Sequence, residues 1–127
     1  MKKLHTIEAL CKEIQQVEGI SDVFPSTFPA NAGHECIIVS FIGGTPTRDT
    51  VSYSTFQVIC RAERPNRSYD LAVGVKNYFN SLQDVRLLSG EVVIQCNPQH
   101  PYPLYLGEDE NRRHLYSYNY SLILSDE

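Results

Sequence analysis

The residues best suited to bind a metal lie in the C-terminal third of the chain. Cys96 and His100 have a Cys-x3-His spacing, and His114 would approach them if the intervening segment folded back. A structural zinc site normally has four such ligands, arranged as two spaced pairs, and no second pair accompanies this one. We therefore interpret the cysteine as a strand residue and the histidines as ordinary surface residues, and we expect neither a metal nor a cofactor.

Covalent catalysis and phosphate binding also find little support. The sequence has no Gly-x-Ser-x-Gly elbow, and no cysteine lies in an evidently electropositive setting beside a histidine and a carboxylate. Gly43 and Gly44 do not open a helix, so they lack the amide groups that hold a phosphate and are interpreted as a hairpin tip. The prediction is that the chain is not an enzyme.

A charged turn near residue 110 is the next candidate for a functional site. Its acidic run lacks the ligand spacing and turn glycine of a calcium loop, so a solvated turn is the simplest interpretation. It could also meet arginines of a second subunit, because complementary charges set the orientation of partners. With two neighbouring tyrosines, the candidate assembly residues are Arg61, Arg64, Arg67, Tyr102, Tyr105, Glu108, Asp109, Glu110, Arg112 and Arg113.

The last strand, His114 to Leu124, has the clearest pattern in the chain. Large side chains occupy every second position, and alternate strand residues point to the same face of a sheet. One face carries Tyr116, Tyr118, Tyr120, Leu122 and Leu124. This row is too apolar to be left in water and must cover helices or a neighbouring subunit.

Two helices and a long hairpin must position these residues. Apolar residues at helical spacing predict a first helix from Leu4 to Val17, ended by Gly19. A second helix is predicted to run to Leu82, with Ser68 as its N-cap and Asp70 in its first turn. Its predicted buried residues are Leu71, Val75, Tyr78, Phe79 and Leu82. The predicted extended segments are 20–24, a hairpin of 36–42 and 50–62 with a tip at 43–47, 91–96, and a last stretch that leads from Leu104 to the final strand. The connection 97–113, which overlaps the beginning of that stretch, is expected to be irregular.

This order, α-β-β-α-β-β, predicts an α+β fold. Hairpins favour antiparallel pairing, and two amphipathic helices need one sheet face to cover them. We expect an antiparallel sheet of about four strands with both helices packed on one face. A change of parity between Tyr53 and Phe56 predicts that the second arm of the hairpin either contains a bulge or uses its other face in its outer portion.

Composition restricts the class of protein further. The chain has 127 residues, enough for a single domain spanning 1–127 with its own core. Its net charge of −4 argues against general affinity for nucleic acid or an acidic membrane. The four cysteines replace aliphatic residues in apolar patterns, so we expect free core thiols in a protein that stays in the cytoplasm where it is made.

The whole pattern resembles a family of phage proteins. The segment Phe56–Arg61 leads into the helix containing Tyr69–Phe79, and the tyrosine-rich strand follows a turn, Gly107–Arg113. With the preceding helix and long hairpin, this order is similar to that of the minor capsid or tail terminator proteins (tail completion, head-tail joining) of long-tailed phages and prophages.

The resemblance implies a structural virion protein. Such proteins form a ring, commonly hexameric, that ends the tail tube and joins it to the head connector. The implied partners are further copies of the chain, the tail tube protein and the head connector protein, with no membrane and no specific nucleic acid. Assembly would take place in the bacterial host cytoplasm. Two other hypotheses remain open: a nucleic-acid-binding α+β module that uses the tyrosine-rich face, and a small enzyme or ligand-binding domain with a pocket between sheet and helices.

Overall fold

The computed structural model describes residues 4–20, 22–48 and 50–126, with the side chains of 46–48 left aside. The α+β class is confirmed, with two helices and seven strands. In chain order the elements are α1 (Thr6–Ile14), β1 (Val23–Pro25), β2 (Cys36–Arg48), β3 (Val51–Ala62), α2 (Pro65–Asn80), β4 (Val85–Arg86), β5 (Val92–Pro98), β6 (Leu104–Glu108) and β7 (His114–Ser125).

The strands form one curled, mixed sheet in the order β1-β2-β3-β7-β5-β4. On the side of β7 away from β3, β6 pairs with its first residues and β5 with its last. The sheet therefore has more strands than the expected four, and it is not wholly antiparallel because β1 runs parallel to β2. Of the additional strands, β1 overlaps the predicted extended segment 20–24, whereas β4 and β6, with two and five residues, are too short for alternation to identify them.

Both helices cover one face of the sheet, as predicted. Their buried residues join those of β2, β3, β5 and β7 in a single apolar core. At its centre the rings of Phe56 and Tyr120 stack at 5.1 Å, and Phe79 of α2 meets each of them edge-on. The tyrosine-bearing row of β7 thus covers helices, and Tyr118 and Tyr120 are fully buried.

The helix boundaries differ from the predicted ones. The first helix ends at Ile14, and single turns follow it before Gly19, which does adopt a positive φ of +85°. The second helix begins at Pro65, because proline suits the first helical position. Ser68 is consequently a buried helical residue whose hydroxyl donates to the Pro65 carbonyl, not an N-cap, and Asp70 lies beyond the first turn.

The hairpin extends beyond its predicted arms. Residues 43–47, expected as a loose tip, continue β2, while residue 49 lies outside the described part of the chain. The second arm, β3, pairs with β7 without a register shift, and Tyr53 is exposed on the face opposite to that of Phe56, so its outer portion uses its other face. The bulge lies in the first arm instead, where the register of β2 with β3 shifts between Phe41 and Gly43. Gly44 has a φ of +155°, and a Cβ there would lie 2.7 Å from the Tyr53 carbonyl oxygen. Only glycine lets the two strands approach this closely.

Candidate assembly surface

One exposed apolar surface lies on and just before β6. Tyr102, Leu104, Tyr105 and Leu106 are 69%, 48%, 50% and 49% exposed, and we call these four residues the β6 corner. The strand pairs with β7 through residues 114–117, and the register shifts at Leu106. Several large apolar side chains in one exposed place indicate a surface that meets another molecule.

The β6 corner is held in place by contacts with β7. The Tyr105 ring lies 5.1 Å from that of Tyr116, and its hydroxyl is 2.8 Å from His114 Nδ1. Before the strand, the Tyr118 hydroxyl donates to the Pro101 carbonyl at 2.7 Å, and His100 stacks on the Tyr118 ring. The connection that sequence patterns predicted to be irregular is therefore an anchored turn followed by a strand.

The acidic turn after β6 is organised around Asp109. Its carboxylate accepts hydrogen bonds from the backbone N–H groups of Asn111 and Arg113, both at 2.9 Å, and from Arg113 Nε at 2.8 Å. Burial alone would raise the pKa of Asp109, but these donors and the guanidinium charge outweigh it and hold that pKa below its usual range. Glu108, Glu110 and Arg112 stay exposed beside the turn.

A second exposed apolar surface lies on the outer part of the hairpin. Phe41, Ile42 and Tyr53 are 40%, 50% and 52% exposed, and we call them the hairpin corner. A shallow groove of about 300 Å³ lies beside them, bordered by Gly43, Gly44, Thr45 and Leu124. The space stays open because the two glycines bring no side chain to fill it, and Phe41, Tyr53 and Leu124 give the groove its apolar lining.

The three candidate arginines have different surroundings. Arg61 is 4% exposed, donates to the Gly33 carbonyl at 2.8 Å, and lies over the Phe28 ring. Arg67 forms two hydrogen bonds with Glu35, and these lower the pKa of that carboxylate. Arg64 is exposed and directly precedes α2. Arg64 is therefore the arginine of the three that is best placed to meet another protein.

The cysteines fit a structural role. All four are buried and free, as predicted. Burial raises the pKa of Cys11 to about 11 and that of Cys96 to about 12, and it also raises the pKa values of Cys36 and Cys60. Thiols with such pKa values are protonated at neutral pH and react poorly as nucleophiles. Across the described ranges, no three His, Cys, Asp or Glu residues lie close enough to hold a metal ion.

A comparison with models of protein families identifies the family of the chain. A model described as bacteriophage tail terminator protein matches residues 12–126. The chain belongs to the bacteriophage tail terminator family. A search of curated proteins finds no match. Membership identifies the chain as a structural phage tail protein, consistent with the absence of a catalytic pattern in its sequence.

For this tail terminator, the tyrosine-rich sheet face is not the working surface. Tyr118 and Tyr120 are 1% and 0% exposed beneath the helices, so that face cannot stack on nucleobases, as the nucleic-acid hypothesis required. No helix in the described part of the chain is long and apolar enough to cross a bilayer.

Sequence reasoning missed the apolar part of both corners. It named tyrosines and charges near β6 but not Leu104 and Leu106, and it treated 43–47 as a loop without including Phe41 and Ile42 in a surface. The available signal was a run of adjacent apolar residues without alternation, which a half-covered strand does not show. Such a run at a sheet edge leaves side chains exposed on both faces.

Proposed function

We propose that copies of this chain form a ring, commonly a hexamer in the family it resembles, that ends the phage tail tube and joins it to the head connector. The whole chain, 1–127, would act as one tail-terminator domain within the virion, after assembly in the host cytoplasm. Its partners would be further copies, the tail tube protein and the head connector protein.

The observation that carries this proposal is the position of the two apolar corners. Of the eight large hydrophobic side chains that are exposed in the described residues, seven lie in the β6 corner or the hairpin corner. The β6 corner adjoins the start of β7, whereas Tyr53 of the hairpin corner pairs with Ile123 near its end. Two different surfaces at opposite ends of one subunit suit a head-to-tail interface, which closes into a ring.

The charged candidates divide into two groups. Arg61, Arg67, Asp109 and Arg113 already bind within the chain. Arg64, Glu108, Glu110 and Arg112 are exposed and lie towards the same end of the sheet as the β6 corner, because Ala62 pairs with His114. We propose that these four, with Tyr102 and Tyr105, orient the neighbouring protein, since rim charges act mainly on orientation and association rate.

The experiment is an assembly assay with the substitution Leu106→Lys. A charged side chain on an edge strand opposes pairing and apolar contact, so ring particles and capped tubes should be lost. The free energy of unfolding should change by less than about 0.5 kcal/mol, because the Leu106 side chain is half exposed. Light scattering and electron microscopy, with and without tail tube protein, measure the particles.

Leu88→Lys is the matched control, because Leu88 is 67% exposed and lies outside both corners. This variant should assemble as the unchanged chain does. If the unchanged chain stays monomeric with and without tail tube protein, the proposal is wrong. If Leu88→Lys disrupts rings as strongly as Leu106→Lys, the corners are not the surfaces that matter.

A further inference from the structure

Two of the unpaired strand edges in the described sheet carry exposed apolar side chains. Within the described residues, β6 is paired with β7 alone, which leaves its outer edge free. On the other side of the sheet, β1 pairs with Ile37, Ile38 and Val39 but with nothing farther along β2. The outer part of β2, from Phe41 to Thr45, therefore has a free edge as well. Free edges are sites where another strand can add.

The two edges match each other in direction. β2 is antiparallel to β3, which is antiparallel to β7, so β2 runs in the same direction as β7. β6 runs opposite to β7 and hence opposite to β2. Rotation about an axis roughly parallel to the strands keeps the strand directions. A second copy placed alongside in this way would therefore bring its β6 antiparallel to the β2 of the first. Antiparallel pairing needs no change in the fold of either copy.

The two edges are also displaced along the strands. β6 lies beside 114–117 of β7, whereas Phe41 and Thr45 are level, through β3, with Tyr120 and Ile123. This offset of about six residues is roughly 20 Å at the usual rise per strand residue. A sheet that closes on itself requires tilted strands and a stagger of this kind.

The composition of both edges favours contact over protection. Proteins protect an exposed edge with lysine or proline, or with a bulge. Leu104–Glu108 contains neither lysine nor proline, and outer β2 has no lysine and a single proline, Pro46, beyond Thr45; each strand also has a register shift. Instead each edge carries half-exposed apolar side chains, Leu104 and Leu106 on one and Ile42 on the other. A neighbouring strand would cover them.

We propose that β6 of one copy adds to the free edge of outer β2 in the next copy, so that the sheets of neighbouring subunits join around the ring. The occupant of each edge is a second copy of this chain. This inference rests on the proposed ring function and specifies which strands form the contact between subunits.

Pairwise cysteine cross-linking tests the proposal. Ile42→Cys is mixed with Leu104→Cys, Tyr105→Cys or Leu106→Cys before assembly, and each mixture is oxidised once rings have formed. The scan along β6 allows for an unknown register, because facing Cα atoms in a sheet lie within disulfide range. The four native cysteines are buried and so remain silent. We expect a disulfide dimer in at least one mixture and none when any single variant is oxidised alone.

The chain offers a matched control and a clear contrary result. Ile42→Cys mixed with Leu88→Cys should give no dimer, since Leu88 is exposed but lies on neither edge. Rings that form normally while no β6 mixture cross-links would overturn the strand pairing and leave the ring function standing. A single variant that cross-links to itself would instead indicate a two-fold interface. Absence of rings under every condition would refute the ring function and this inference with it.

Discussion

The middle of the sheet and its two corners contain similar apolar residues, but these residues are buried in the middle and exposed at the corners. Around Phe56, Phe79 and Tyr120 the aromatic rings lie under the helices and are fully buried. At the β6 corner, Tyr102, Leu104 and Tyr105 are about as large but stay half exposed or more. The difference arises from what covers each strand, because α2 packs on β3, β5 and β7 and has no comparable contact with β6.

This contrast shows that apolar content alone does not separate the core from the exposed surface. Tyr116 and Tyr118 belong to the same strand face, yet Tyr118 lies beneath the turn that contains Pro101, whereas Tyr116 meets Tyr105 of β6. The tyrosine-bearing face of β7 is therefore covered at Tyr118, whereas at Tyr116 its neighbour is β6, a strand that is itself exposed. Stability should depend on the middle of the sheet, and assembly on the corners.

The largest effect is expected from Phe79→Ala in the covered region. Phe79 is fully buried and contacts the rings of both Phe56 and Tyr120. Removing a buried phenylalanine ring usually lowers the free energy of unfolding by about 3–5 kcal/mol, because it loses apolar burial and leaves a cavity. Urea unfolding followed by circular dichroism measures the change.

Leu104→Ala provides the corresponding test at the corner. Leu104 is 48% exposed, so its truncation should change the free energy of unfolding by about 0.5 kcal/mol or less. It should weaken ring formation instead. A loss of stability similar to that of Phe79→Ala would show that the β6 corner is part of the core and would remove the contrast.

A smaller loss is expected from Gly44→Ala in the hairpin. The added methyl group would lie 2.7 Å from the Tyr53 carbonyl oxygen, at a φ of +155°. Relieving that contact requires the strands to separate, and such backbone strain costs about 1–3 kcal/mol. Because outer β2 supplies one of the proposed edges, assembly should fall together with stability. Thermal unfolding and light scattering measure the two effects.

Gly43→Ala is the control for this substitution, since nothing lies within 4 Å of a Cβ at that position. It should leave stability and ring formation almost unchanged. Equal losses from both alanine variants would mean that strand flexibility, and not the close approach at Gly44, supports the hairpin corner.

Sequence patterns predicted the covered region much better than the corners. The alternation in β7 and the helical spacing of Leu71, Val75 and Phe79 identified core residues that are buried in the structure. That succeeded because a surface covered on one side imposes a periodic pattern. The short strands β4 and β6 show no periodic pattern, because each of them is recognisable as a strand only through its pairing with a longer one.

The charged surface was predicted only in part, for a different reason. Sequence identified which side chains carry charge, but not which of them find a partner within the chain. The partners of Arg61 are the carbonyl groups of residues 33 and 34, and backbone acceptors leave no trace in side-chain patterns. Arg67 and Glu35 are distant in sequence, so only the fold brings their side chains together.

A smaller loss than that from Gly44→Ala is expected from Asp109→Asn in the turn beside the β6 corner. The pKa of Asp109 is below its usual range in the folded chain, so its ionised form stabilises the fold above the pKa of the unfolded state, which lies at about 4. That contribution is lost as pH falls through the folded pKa. The pair with Arg113 lies near the surface, so the variant should lose no more than about 1 kcal/mol at pH 7.

The difference between Asp109→Asn and the unchanged chain should shrink as pH falls from about 4 through the lower pKa of the folded state, because the carboxylate is protonated first in the unfolded state and then in the folded state as well. Urea unfolding at pH 7 and pH 3 measures it. Glu110→Gln, at an exposed position of the same turn, is the matched control and should show no such dependence. A difference that stays constant with pH would mean that the side chain supports the turn by its shape alone. The β6 corner would then be oriented by its contacts with β7 and not by charge.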